Sequence, residues 1–190
     1  MLDNIPYFPY ILSAFIGIGL AAASGFRVFL PMFAVSLASY MGWIPMNDHF
    51  MWLAGLPTLI TTGIATIVEV LAYYIPYVDH LLDTISVPLA TVAGSVLFAS
   101  QFADLGTFPT WALALIAGGG TAAAISSGFA GTRAASTATT GGLGNSVVAT
   151  TETVGAGIMA VLALVAPIIA VVIAIALVVI VFIFGRKLWG

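Results

Sequence analysis

The sequence predicts an all-α integral membrane protein, a compact bundle of about five to seven transmembrane helices. Three observations predict it. Hydrophobic residues make up 62% of the 190-residue chain and charged residues 6%, against about 25% charged in an ordinary soluble domain. The mean hydropathy is +1.19, and one soluble core could not hide that much apolar surface beneath a wettable exterior. The chain also divides into apolar runs near the roughly 20 residues that a membrane-spanning helix needs. The length leaves room for one transmembrane domain and no separate soluble one.

Residues 10–26, beginning after Pro9, form the first expected span. Residues 28–44 form the second, with Pro31 in the first turn and Gly42-Trp43 at the end. A short polar loop covers 45–49. The third span, 51–75, is rich in Ile, Leu and Thr and encloses Glu69. Residues 76–86 read as interfacial, because Tyr73, Tyr74 and Tyr77 stand beside Asp79, His80 and Asp83. A short fourth span of small residues covers 87–102. A loop at 104–107 leads to a fifth span, 109–125, opened by Trp111. Residues 126–151 are too polar and glycine-rich for a lipid-facing helix. They are expected to form a broken or re-entrant segment packed inside the bundle, since non-helical backbone at membrane depth must be covered by protein or line water. Residues 153–184 are almost free of charge and divided by Pro167, as one kinked helix or a tight hairpin. The N-terminus has no basic region before its apolar run and does not read as a cleaved signal peptide.

Two arginines carry the strongest functional signal. Lys and Arg together number four, and two of them, Arg27 and Arg133, lie in apolar sequence. An arginine at bilayer depth costs about 2.5–3.5 kcal/mol on insertion scales. Each follows a similar phrase: Ala-Ala-Ala-Ser-Gly-Phe before Arg27, and Ala-Ala-Ala-Ile-Ser-Ser-Gly-Phe-Ala-Gly-Thr before Arg133. Phe8-Pro9 and Phe108-Pro109 open the two stretches, and Ala65 to Glu69 has an echo in Ala149 to Glu152. An internal repeat with halves 8–85 and 86–190 is therefore expected. Small transporters often place their site where such halves meet.

Glu69 and Glu152 are the carboxylates placed to pair with these arginines. Two buried ion pairs can simply fix helix packing. The functional reading is a polar cavity in which arginine, whose fixed fork suits carboxylate or phosphate, attracts an anion and glutamate takes up a proton or cation. Thr140, Gly141, Gly142, Gly144 and Asn145, preceded by Ser136, Thr137 and Thr139, can offer backbone N–H groups to an anion. They lack the lysine and spacing of a P-loop. Asp79, His80 and Asp83 put two carboxylates one helical turn apart, a weak metal signal without a fourth ligand. Small residues at Gly17, Ala21 and Gly25, and at Gly118 and Ala122, favour close helix contact, within the bundle or across a dimer.

No catalytic set emerges: the histidines lie near span edges, and neither Gly-x-Ser-x-Gly nor His-Glu-x-x-His occurs. No enzyme activity, cofactor or metal is expected. Cysteine is absent and the formal net charge is −3, which leaves no thiol chemistry and no basic surface for nucleic acid.

Three stretches together resemble the domain-of-unknown-function 4126 family: Gly19 to Pro31; Glu69 with Ala72 to Asp83; and Ser136 to Asn145. The resemblance covers nearly the whole chain, although residues 153–184 match only in being hydrophobic. It implies a small bacterial-type multi-spanning membrane protein and brings no reaction or substrate. Arg27, Glu69, Asp79, Asp83, Gly141, Gly142, Gly144 and Asn145 fall in the family motifs.

The function expected is passage of a small solute or ion, an anion or phosphate-bearing molecule ahead of a cation. The alternative is a structural or accessory membrane protein whose charges only lock helices. The expected partners are membrane lipids, the solute and a second copy of the chain. Arg186 and Lys187 follow the last span and place the C-terminus in the cytoplasm, in a bacterial inner membrane.

Overall fold

The computed structural model describes residues 7–75, 78–102 and 105–189, and every regular element among them is helical. Pro76, Tyr77 and Asp104, and residues 1–6, on which parts of the sequence reading fall, lie outside the described residues. Eight α-helices follow in order: α1 (Phe8–Phe26), α2 (Phe29–Tyr40), α3 (Leu56–Ala72), α4 (Val78–Ala99), α5 (Thr107–Leu113), α6 (Gly120–Thr140), α7 (Asn145–Val165) and α8 (Pro167–Trp189). A 3₁₀ helix, Asp48–Ala54, precedes α3, and a π-helical stretch, Ala114–Gly119, joins α5 to α6 into one run of 34 residues. Among the described residues five helices are long and apolar enough to cross a membrane, or six if the 3₁₀ helix and α3, bent by 58°, make one broken span.

The helix boundaries correct several sequence expectations. The second span is only the 12 residues of α2, about 18 Å at a rise of 1.5 Å per residue and too short to cross alone. From Val78 on, the interfacial segment and the fourth span form one helix, α4, and the boundary drawn between Ser86 and Val87 falls inside it. Residues 126–151 are broken, as one of the two expectations had it, and not re-entrant. They belong to α6 and α7, joined by a turn at 141–144. Several of their hydroxyls bond back to their own helix: Thr132 to the Gly128 carbonyl, Thr139 to Ala135 and Thr140 to Ser136. Such back-bonding lets serine and threonine sit in a helix without exposed donors. The turn needs glycine, since Gly141 and Gly142 have φ of +64° and +90°.

Pro167 opens a new helix, where its missing N–H costs nothing, and α7 and α8 form a tight hairpin. Gly19 of α1 faces both Ala163 and Ala170, whereas further along α8 Val181 reaches Gly128 of α6. Phe129, the next residue of α6, stacks on Phe26 at the end of α1. Helix α8 therefore runs back beside α7, parallel to α1 and α6.

Small residues hold the bundle together. Phe98 of α4 packs against both Gly17 of α1 and Gly118, Gly25 meets Ala122 and Ile125, and Gly94 meets Ala122. Buried Leu20, Leu97 and Ile125 fill the space between these contacts. The small-residue faces read from the sequence are used inside the bundle, where removal of side chains lets backbones approach.

The helix lengths also set the depth of the polar residues. Helix α1 has 19 residues, about 28 Å, close to the roughly 30 Å of a bilayer's hydrocarbon core. Arg27 follows its last residue, so it sits at one edge of the apolar slab, not at mid-depth. Exposed Tyr40, Trp43, Trp52 and Trp111 mark the opposite edge, and exposed Tyr74 lies at the arginine end, as aromatic belts do at membrane surfaces.

A Cβ at Gly94 would lie 2.6 Å from the Ala122 Cβ and 3.0 Å from the Gly118 carbonyl oxygen, whereas one at Gly157 would meet nothing. Gly94→Val is expected to destabilise the bundle by about 1–3 kcal/mol, as overpacking does, and Gly157→Ala to leave it unchanged. Thermal unfolding of both variants in one detergent checks the contrast.

Candidate functional site

The polar residues converge at the end of the bundle where α1 stops and α4 begins. Arg27, in the break between α1 and α2, is 1% exposed. Its Nε donates to Thr153 Oγ1 at 3.2 Å, its Nη2 donates to the Ala149 carbonyl at 2.8 Å, and Nη2 lies 3.4 Å from Glu152 Oε2. Arg133 on α6 grips the same carboxylate with two donors: Nε to Oε1 at 2.9 Å, and Nη2 to Oε2. Asp83 Oδ1 stands 3.5 Å from Arg133 Nε, on a side chain that is 20% exposed. Both guanidinium carbons lie over the ring of Tyr73, 4.0 and 3.9 Å from its centre. One carboxylate and one aromatic ring thus serve two cations. Each cation–π contact of this kind contributes about 2 kcal/mol when desolvated.

Glu69 departs from the pairing that the sequence suggested. Its oxygens accept from the backbone N–H groups of Val28 and Phe29, at 2.8 and 3.0 Å, and no ion pair joins it to either arginine among the described residues. The physical reason is the start of α2. No side chain caps that helix from its own N-cap position, and free N–H groups with a positive helix end attract a carboxylate.

The glycine turn also differs from the anion loop that was expected. The N–H groups of Gly141, Leu143 and Asn145 donate to the carbonyls of Thr137, Thr140 and Gly142. The Gly144 N–H donates to Thr140 Oγ1. Too few N–H groups remain to cradle an anion. Asn145 instead turns its amide onto α4: Nδ2 donates to Asp79 Oδ2 at 3.0 Å and to Thr137 Oγ1 at 3.1 Å.

The structure therefore joins Arg27, Arg133, Glu152 and Asp83 in one cluster, Asp79 and Asn145 in a second beside it, and sets Glu69 apart as a helix cap. Tyr73 was named in the sequence only as an interfacial residue. Its spacing of four from Glu69 was the available signal, since residues one turn apart share a helix face. Thr153 carried no signal of its own. Two open clefts adjoin the clusters and share His80. One, of about 430 Å³, is lined by His80, Asp83, Arg133 and Thr137. The other, of about 310 Å³, is lined by Tyr74, Asp79, His80, Gly141, Gly142 and Asn145.

A family model, domain of unknown function (DUF4126), matches residues 14–187. Comparison with curated proteins gives no match, and comparison with solved structures gives none.

Removing one partner of a buried charge cluster costs more than the cluster contributes, because the charges left behind stay desolvated. Glu152→Gln is expected to destabilise the protein by roughly 3–5 kcal/mol. Glu69→Gln, which keeps a side-chain oxygen for the α2 N–H groups, should cost about 1 kcal/mol. Unfolding midpoints of the two variants, measured side by side, test this order.

Proposed function

The chain belongs to the DUF4126 family, and from that premise we propose that this membrane protein passes a small ion or solute along the seam between α4 and the α5–α6 run. One observation carries the reading: a cleft with polar side chains in its wall stands at each end of that seam. At the arginine end, His80, Asp83, Arg133 and Thr137 line one. At the other end, Asn47, His49, Thr107 and Thr110 line a second, of about 330 Å³, with Val96 and Phe102 of the α4 side. Between them lie the tight contacts of Gly94, Ser95 and Phe98 with Gly118, Gly119 and Ala122. The π-helical turn Ala114–Gly119 sits in that closed stretch, and wide turns of this kind are frequent at functional sites. Passage requires this seam to part.

The charge arrangement favours a small cation over the anion that the sequence put first. Nε and Nη2 of Arg133 are both engaged by Glu152, and those of Arg27 by Thr153, Ala149 and Glu152, which leaves Nη1 of each without a partner among the described residues. Glu69, Asp79, Asp83 and Glu152 together outnumber the two guanidiniums. The ends of α2 and α4 offset about half a charge each, which leaves a negative excess. Asp83 is the carboxylate that opens on the cleft. A second reading, a non-transporting scaffold, draws on the sealing of Arg27, and its outcome is the absence of any flux.

The site end would face the cytoplasm. Val181 meets Gly128, so in parallel helices Arg186 and Arg133, each five residues further on, reach similar depth. By the positive-inside rule Arg186 and Lys187 mark the cytoplasmic edge. The duplication of residues 8–85 and 86–190 belongs to the same proposal, supported by Phe98 packing against Gly17 and Gly118 alike.

Two experiments check this reading. In proteoliposomes, potassium, sodium or ammonium flux is expected, with Asp83→Asn lowering it by roughly tenfold or more, the equivalent of ~1.4 kcal/mol of lost ion stabilisation. Folded protein that moves no tested cation, or moves only chloride or phosphate, contradicts it. The chain has no native cysteine, so Leu143→Cys and Trp43→Cys, both at exposed positions, report sidedness cleanly. An impermeant maleimide should label the first only from the cytoplasmic face and the second only from the opposite face.

A further inference from the structure

The cleft between the start of α4 and the α6–α7 turn contains a buried carboxylate with no cation beside it. Asp79 is 5% exposed. Its Oδ1 accepts from the His80 N–H at 2.8 Å and its Oδ2 from Asn145 Nδ2 at 3.0 Å. Among the described residues no ion pair reaches it. A carboxylate held out of water without a counter-charge is costly.

Asn145 supplies the second, independent observation. It is 3% exposed, and both hydrogens of its Nδ2 are engaged, by Asp79 and by Thr137. That fixes the orientation of the amide, because a flipped group would turn its oxygen on a carboxylate. Its Oδ1 is then a buried acceptor with no partner among the described residues, in a side chain that lines a cleft of about 310 Å³. Buried polar atoms are nearly always paired, so this acceptor, beside a carboxylate that no cationic side chain pairs among the described residues, suits a donor that carries positive charge.

The chemistry narrows that donor. One carboxylate with neutral oxygens suits a single positive charge, and no group of three or more His, Cys, Asp or Glu able to hold a metal exists among the described residues. The cleft is far larger than the space of about 10–15 Å³ that one small ion or water needs. Tyr74 lines it, and an aromatic wall attracts organic cations. We infer that the Asp79–Asn145 cleft binds a primary ammonium group, from a free amine or an aminophospholipid headgroup, with Asp79 supplying the charge and Asn145 Oδ1 accepting an N–H. The inference goes beyond the passage reading. It is tested by binding alone, so the two fail separately.

The test uses the full chain in nanodiscs of phosphatidylcholine or phosphatidylethanolamine. In phosphatidylcholine discs, saturating ethanolamine should raise the unfolding midpoint by roughly 3 °C or more. Choline, which has no N–H to donate, and sodium should leave it unchanged. If the source is the lipid, native mass spectrometry should show phosphatidylethanolamine retained over phosphatidylcholine. Asp79→Asn should remove whichever response the wild type shows. Equal shifts with choline and ethanolamine overturn the proposal, as does a response that survives Asp79→Asn. So does the absence of both an ethanolamine shift and lipid retention. Should Asp79→Asn fail to fold, the contrast of ethanolamine with choline on the wild type decides alone.

Discussion

The Glu152 carboxylate is the point on which the arginine end of this bundle depends. Arg133 holds it with two donors and Arg27 approaches it from the other helix junction. Neither arginine could remain in an apolar bundle without it, because an unpaired buried charge is far more expensive than a paired one. Tyr73 brings the end of α3 into the same cluster and Asp83 brings α4. Five segments distant in sequence are thus tied by one set of charges. Elsewhere the bundle relies on shape, with glycine and alanine letting α1, α4 and α6 approach closely.

This division of labour follows from the solvent. In lipid, apolar helices gain little by associating through hydrophobicity, so packing of small residues and a few polar contacts must supply the specificity. Charges are cheapest where helix ends approach the membrane surface. The α5–α6 run of 34 residues extends about 51 Å, well past a hydrocarbon core of roughly 30 Å. Its surplus, with the glycine turn, forms the roof over the clefts at that end. The clasp is therefore sealed on the side of Arg27 and opens on the side of Arg133, Asp83 and His80.

Much of this was legible in the sequence, for identifiable reasons. Charge inside an apolar run is conspicuous, so Arg27, Arg133 and Glu152 stood out, and the small-residue intervals marked faces suited to close helix contact. What escaped notice depended on contacts between distant segments. Glu69 looked like an arginine partner because only side chains are visible in a sequence, whereas its real partners are the N–H groups of Val28 and Phe29. Residues 126–151 looked too polar and glycine-rich for a lipid-facing helix because the back-bonds of Thr132, Thr139 and Thr140 leave no mark in composition. The bond from Asn145 to Asp79 joins two family motifs that sequence spacing gave no reason to pair.

A double-mutant cycle on Arg133 and Glu152 probes the shared carboxylate most directly. Methionine at each position keeps the volume and removes the charge. If the clasp holds as described, Arg133→Met and Glu152→Met each lower stability sharply, while the double variant regains at least about 2 kcal/mol over the sum of the single losses, as a strongly coupled pair must. Losses that simply add would show that the two residues stand side by side without depending on each other, and the account of the arginine end would fail.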